Sequence, residues 1–273
     1  MVQPKCGVTL IMPTSDDILL SQDDAGIVIV TLNRPAKRNA ISFSMWERLG
    51  ELFSGFATRD DVRVVILTGA GGHFSAGADI AEFPRMRSDP TAARRYNEAG
   101  HAATLAIRDL PQPTIAAAHG YCVGGGCGIA LACDLRVGDP TTQMGIPAAR
   151  RGIVYSVLDT ELLMRTVGLP RAKLVLYSGN IFPVENCQQM GLLDVVSSQD
   201  ALDGAISLAR DLAERAPLSQ RGSKITLEAI ARGEIDARVA EIQAAQKLAS
   251  DSEDYREATH SFIEKRPPVF RGR

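Results

Sequence analysis

Three short apolar runs constrain this chain most. Each ends in a loop rich in glycine or polar residues, and stretches of helical period lie between them. Gly26-Ile-Val-Ile-Val-Thr-Leu32 and Val62-Arg-Val-Val-Ile-Leu-Thr68 are β-branched, and Pro113-Thr-Ile-Ala-Ala-Ala118 is the third. Between the first two, Met45, Leu49, Leu52, Phe53 and Phe56 recur at helical spacing within Ser44–Ala57. Near-continuous apolar strands alternating with helices point to a parallel sheet covered on both faces. Asp134–Val137 reads as a fourth strand and Leu193–Val196 as an edge strand. Further helices are expected over Pro90–Asp109, Gly126–Cys133, Asp159–Val167 and Arg171–Ser178. From about Leu202 to Ile263 the strand signal disappears and Ala, Leu, Glu and Arg recur at helical period. The expected organisation is a short extension over 1–22, an α/β core over 23–200 and a helical region over 201–273.

The loop after the third run contains Gly124-Gly125-Gly126, followed by Cys127 and Gly128. Consecutive glycines weaken any helix or strand, because glycine loses the most backbone entropy on ordering. They are retained where the backbone approaches something closely or where amide N–H groups must stay free. A glycine turn opening a helix offers bare N–H groups and the positive end of the helix dipole, which suits an anion or an oxyanion. A tight turn packed against a neighbour accounts for the same run.

The 273 residues are 45% hydrophobic and 23% charged, with a net charge of −2. That balance describes a globular chain and offers nucleic acid no basic surplus. Cys6, Cys122, Cys127, Cys133 and Cys187 are odd in number and show no metal-like spacing, so a disulfide framework is not expected and a reducing cytoplasm is. No signal-like segment opens the sequence, and no apolar run approaches membrane-spanning length.

Three loops carry the chemistry: Asn33–Ala40 (NRPAKRNA), Gly69–Ile80 ending in Ser75-Ala-Gly-Ala-Asp-Ile80, and Ala116–Gly128. Each follows the carboxyl end of a strand, where open α/β sheets place ligands. With these segments, and with the tail Tyr255–Arg266, the chain from about Ile27 to Phe270 resembles the crotonase, or enoyl-CoA hydratase/isomerase, superfamily. The resemblance implies a spiral of ββα units followed by helices that mediate trimer formation. It implies an acyl-CoA substrate, self-association as a trimer or a dimer of trimers, and no cofactor beyond the CoA moiety.

By the same resemblance, the backbone amides of Ala78 and Gly125 are expected to hold the thioester oxygen as it gains negative charge. Removing such a donor costs about 3–4 kcal/mol in other enzymes. Arg34, Lys37 and Arg38 match the part that meets the phosphate end of CoA, and a solvated basic cluster explains them as well. Ala40, Ala76, Asp79 and Ile80 fall at CoA-contacting positions, and Asp79 is also expected to hold its loop through nearby amides. Lys265 and Arg266 match positions that reach a neighbouring subunit's CoA, or they are ordinary helix C-terminal cations.

The chain departs from the family at its acids. Hydratases of the family activate water with two glutamates, and the matching positions here are Gly128 and Ala148. Losing one acid–base group typically costs about 10²–10⁴-fold in rate, so ordinary hydration is not expected. Tyr155, three residues after Gly152, resembles methylmalonyl-CoA decarboxylase, although that enzyme has a histidine at the Ala78 position and a glutamate at the Gly128 position. Decarboxylation forms an enolate without activating water. Three readings follow: enolate chemistry such as decarboxylation, a hydratase or isomerase with a substituted acid, and a silent acyl-CoA binder. Arg150 and Arg151 are either solvated or fork a substrate carboxylate. His73 is expected to face solvent and His119 to be structural. Glu82 and Glu161 are possible substitute acids that no spacing places in the site, and no metal is expected.

Overall fold

The computed structural model describes residues 17–86 and 88–273. The chain runs β1 (Ile18–Gln22), β2 (Ile27–Leu32), α1 (Phe43–Phe56), β3 (Val64–Gly69), α2 (Phe83–Met86), α3 (Pro90–Arg108), β4 (Thr114–Ala118) and β5 (Tyr121–Val123). It continues through α4 (Gly125–Ala132), β6 (Leu135–Gly138), β7 (Gln143–Gly145), α5 (Val157–Val167), α6 (Leu169–Ser178), β8 (Ile181–Pro183) and α7 (Val184–Met190). β9 (Val195–Val196) and helices α8 (Ala201–Ala213), α9 (Pro217–Arg232), α10 (Ile235–Ser250) and α11 (Glu253–Glu264) complete it.

The main sheet is ordered β1-β2-β3-β4-β6-β9. All its pairings are parallel except β1 with β2. β3 is buried at every position, as a central strand covered on both faces must be. Alternation then sorts its side chains: Val65 and Leu67 join a core with Met45, Leu49 and Phe53 of α1, while Val64 and Ile66 join a second core. That second core is closed by Ala201, Ala205 and Ala209, spaced one helical turn apart on α8. Their small side chains lay α8 close against the sheet.

Two boundaries differ from the sequence-based expectation. The stretch 1–22 is not wholly an extension, because Ile18–Gln22 pairs antiparallel with β2 and Ile18 is fully buried. Residues 1–16, Cys6 among them, lie outside the described residues. The helical region does not begin a separate layer at 201 either, since α8 completes the second core of the sheet. The small second sheet of β5, β7 and β8 is absent from the sequence reading. Strands of three residues are too short to show a period.

Helices α9 to α11 sit apart from the sheet core. In the single chain α10 buries none of its residues. Leu227, Ile230, Val239, Leu248, Phe262 and Ile263 are exposed on these helices. Among the described residues no helix is long and apolar enough to cross a membrane.

Candidate active site

The first loop of the site is shaped by Asn39. It is fully buried and adopts φ 53°, a left-handed conformation that asparagine tolerates. Its side chain accepts from the Arg34 amide at 2.9 Å and donates to the carbonyls of Ala70 and His73 at 2.9 and 2.6 Å. Arg34 donates to the Ala40 carbonyl at 2.7 Å and to Asp79 at 2.9 Å, and Lys37 donates to the same Asp79 oxygen at 3.0 Å. Burial alone would raise the Asp79 carboxyl, but the bonds from Lys37 and Arg34 hold it below its usual range. Asp79 also accepts from the Ala81 amide at 3.2 Å, as expected of a loop-holding acid.

Backbone hydrogen bonds then lace the three loops together. Ile41 donates to the Gly77 carbonyl at 2.8 Å and Asp79 donates to the Ile41 carbonyl at 2.9 Å. Ser75 donates to the Tyr121 carbonyl at 2.8 Å, and Val123 donates back to Ser75 at 2.9 Å. Gly77 and Gly124 turn with φ 92° and 59°, a region closed to most side chains. A β-carbon on Gly126 would lie 2.7 Å from both the β-carbon and the carbonyl oxygen of Ser75. On Gly125 it would press on the Trp46 indole at 3.2 Å and on the Ala78 amide nitrogen at 3.4 Å. The glycine run is therefore packing and amide presentation at once.

The amides of Ala78 and Gly125 lie side by side at a cavity of about 620 Å³. Among the described residues neither donates to a protein acceptor. Gly124 caps α4 without a side-chain bond, so the first amides of the helix stay open and its dipole points at the cavity. Two adjacent free amides, one of them at a helix start, can hold a carbonyl oxygen that gains charge. The remaining wall is mostly apolar and includes Trp46, Phe83, Tyr96, Val123, Pro147 and Leu158.

Opposite the glycines stands an acid that the sequence reading passed over. Asp159 lines the cavity from the first turn of α5. A β-carbon on Gly128 would lie 3.3 Å from Asp159 Oδ1. The acid missing from position 128 on α4 is thus matched by one reaching the same place from α5, and a side chain at 128 would crowd it. Ser156 Oγ donates to Asp159 Oδ2 at 2.7 Å and accepts from the Asp159 amide at 3.0 Å. Burial pushes the Asp159 carboxyl up, while the Ser156 bond and the nearby His101 pull it back only partly. Its one local signal is Ser156-x-x-Asp159, a helix-start signature, which marks the beginning of a helix and not a site.

Tyr155 also lines the cavity, and its hydroxyl lies 3.9 Å from where a β-carbon on Gly124 would be. Burial first, with Cys127 and Asp159 adding, pushes the phenol well above its ordinary range, so it keeps its proton. Ala148 and Arg151 line the cavity too, whereas Arg150 turns away to bond the Asn180 side chain. Glu82 is committed to the Phe43 amide at 2.7 Å and Glu161 to Arg165 at 2.7 Å. His73 does not simply face solvent: its Nδ1 accepts from the Tyr121 amide at 3.1 Å, and burial lowers its pKa. His119 contacts the Gly71 carbonyl at 3.0 Å and is structural.

The structure gathers Arg34, Lys37, Arg38, Ala40, Ala76, Asp79 and Ile80 around one loop pair. Ala76 donates to the Arg38 carbonyl at 2.9 Å, and both Ala76 and Ile80 line the cavity. Arg38 lies over the Tyr121 ring at 5.4 Å. Lys265 ends α11 in a left-handed conformation, and among the described residues no hydrogen bond or ion pair ties it to this loop pair. Among the described residues no cluster of three or more His, Cys, Asp or Glu side chains is placed to hold a metal ion.

The family model described as enoyl-CoA hydratase/isomerase matches residues 22–273. This chain belongs to the enoyl-CoA hydratase/isomerase family. It is 32% identical to a 2,3-dehydroadipyl-CoA hydratase of Escherichia coli, over 90% of this chain and 96% of that protein. It is 34% identical to a mevalonyl-coenzyme A hydratase of Aspergillus fumigatus, over 95% of this chain and 96% of that one. Among solved structures, an enoyl-CoA hydratase/carnithine racemase from Magnetospirillum magneticum superposes with a TM-score of 0.86 at 32% identity, covering 95% and 97% of the two chains. The fold is the crotonase spiral of ββα units with C-terminal helices, and the family acts on CoA thioesters.

Proposed function

We propose that this protein moves a proton on the acyl chain of a CoA thioester, shifting an enoyl double bond, with Asp159 as its single acid–base group. The observation that carries this is the Asp159 oxygen 3.3 Å from the point where a Gly128 side chain would begin. In this reading the thioester oxygen sits between the Ala78 and Gly125 amides. Ionised Asp159 takes a proton from carbon, the C–H electron pair enters the enolate, and its charge falls on that oxygen. The same carboxyl then returns the proton two carbons away. One group suffices for a shift, whereas adding water calls for a second group to hold and orient it. Ala148 supplies none. A carboxyl pushed upward by burial is closer to the working pH, where proton exchange is most efficient.

Lys37 and Arg38, both exposed, are the cations that meet the phosphate end of CoA in this proposal. Arg34, largely buried and bonded to both Asp79 and the Ala40 carbonyl, shapes the loop instead, whereas Lys37 shares Asp79 but keeps its side chain half exposed. The uncovered apolar residues of α9 to α11 support self-association as a trimer or a dimer of trimers. In such an assembly Lys265 would serve a neighbouring subunit's site.

The test is conversion of a 3-enoyl-CoA to the 2-enoyl-CoA, with α-proton exchange followed by mass spectrometry in D2O. Both should occur and both should collapse in Asp159→Asn. Crotonyl-CoA hydration at a comparable rate would sink the isomerase reading in favour of a hydratase with a substituted acid. Binding without exchange across a panel of thioesters would leave a silent binder. Decarboxylation stands as a second reading because the Tyr155 phenol keeps its proton and lies beside the Gly124 turn. Its mark is CO₂ release from methylmalonyl-CoA that disappears in Tyr155→Phe.

A further inference from the structure

Arg151 is a cation for which this reading of the site has no use. It belongs to a short helical turn, Ala149–Arg151, closed by Gly152 in a left-handed conformation (φ 64°). Its neighbour Arg150 bonds Asn180 and packs against Gly179, where a β-carbon would lie 3.0 Å from Arg150 Cγ. Arg151 instead lines the cavity and stays exposed. Among the described residues no acid lies within ion-pair distance of it.

The ionisable groups that share the cavity with Arg151 do not neutralise it. Tyr155 keeps its proton, and His101 contributes no negative charge. Asp159 is held by Ser156 at 2.7 Å and forms no ion pair with Arg151 among the described residues. Ala148, which lies on the same wall, has no charge to offer. An unpaired guanidinium at a mostly apolar cavity is a receptor for a planar anion, and its fixed fork of donors matches a carboxylate.

We propose that the acyl group this protein takes carries a free carboxylate, held by Arg151, so that its substrates are CoA thioesters of dicarboxylic acids. This rests on the thioester site described under the proposed function. The thioester oxygen docks at the Ala78 and Gly125 amides, and the free carboxylate lies across the apolar stretch of the cavity at Arg151. Arg151 is a specificity-determining residue here and takes no part in proton transfer.

Calorimetry with two pairs of thioesters tests this: succinyl-CoA against butyryl-CoA, and glutaryl-CoA against valeryl-CoA. One dicarboxylic thioester should bind about tenfold or more tighter than its neutral partner, the scale of a charge-assisted pair. Arg151→Met should abolish that preference and leave the neutral thioester's affinity unchanged. Arg151→Lys should keep part of it, and Arg150→Met should keep all of it. Equal binding of charged and neutral thioesters overturns the inference and leaves the thioester reading standing. A preference that survives in Arg151→Met also overturns it, because another group then reads the carboxylate. If none of the four binds, the thioester reading falls and this inference falls with it.

Discussion

Two helices present their first turns to one cavity, and they treat their free amides in opposite ways. α4 opens on Gly124, which offers no side-chain cap, so the Gly125 amide and the helix dipole stay available. α5 opens on Ser156, whose hydroxyl satisfies the Asp159 amide and bonds its carboxyl, so this helix start turns an acid toward the cavity. A helix start can therefore present open amides or a carboxyl to a cavity, and the capping residue makes the choice. The contact between Gly128 and Asp159 ties the two roles together. A glycine on α4 gives a carboxylate on α5 the space that a side chain would fill.

Removing the acid should break this comparison most severely. Asp159→Asn is expected to slow α-proton exchange about 10²–10⁴-fold with thioester binding nearly unchanged. Retention of the exchange rate would place the acid elsewhere. The same variant carries a stability signature. Burial raises the Asp159 carboxyl above 3.8, so between that value and its raised pKa the folded protein holds a proton that the unfolded chain releases. Stability is lost as pH rises through that window, and the loss persists above it. Asp159→Asn should therefore melt higher than the wild type at neutral pH, and the gap should close in acid.

Gly125→Ala tests the other helix start. Its new β-carbon would press on Trp46 at 3.2 Å and on the Ala78 amide at 3.4 Å. Displacing the paired amides should cost up to about 10²-fold in exchange rate, the scale of an ångström's misplacement. A double variant with Trp46→Phe should recover part of it. No loss in Gly125→Ala would mean that the amide pair is not the sink.

Gly128→Ala probes the tie between the two helices. The added methyl meets Asp159 Oδ1 at 3.3 Å, so the carboxyl must move and exchange should fall about tenfold, a smaller version of the same misplacement effect. Thermal stability should change little, because alanine's helix preference of about 1 kcal/mol offsets the crowding.

Ser156→Ala is the gentlest change. Loss of the cap should cost about 1 kcal/mol of stability in thermal melts. The bond it removes is the one that lowers the Asp159 carboxyl, so the basic form should appear at higher pH. In a pH–rate profile the ascending limb should shift upward. A downward shift would mean that Ser156 stabilises the protonated acid.

The sequence by itself determined most of the frame, because the relevant signals are local. β-branched runs, helical periods and the glycine-closed loops placed β2, β3, β4, α1 and α4 within a residue or two of where they lie. The glycine turn opening α4 was legible as well, since it is written in consecutive residues, whereas Ala78 as its partner came only from the resemblance to the family. What only the tertiary structure decided depends on elements meeting across space. β1 is a strand because β2 offers it an edge, and the three-residue strands β5, β7 and β8 exist only through one another. The fate of the two arginines is another such decision: Asn180 takes Arg150 and leaves Arg151 to the cavity. The acid is the clearest case. Gly128 and Asp159 are thirty-one positions apart, and only the packing of α4 against α5 reveals that the space left by one is occupied by the other.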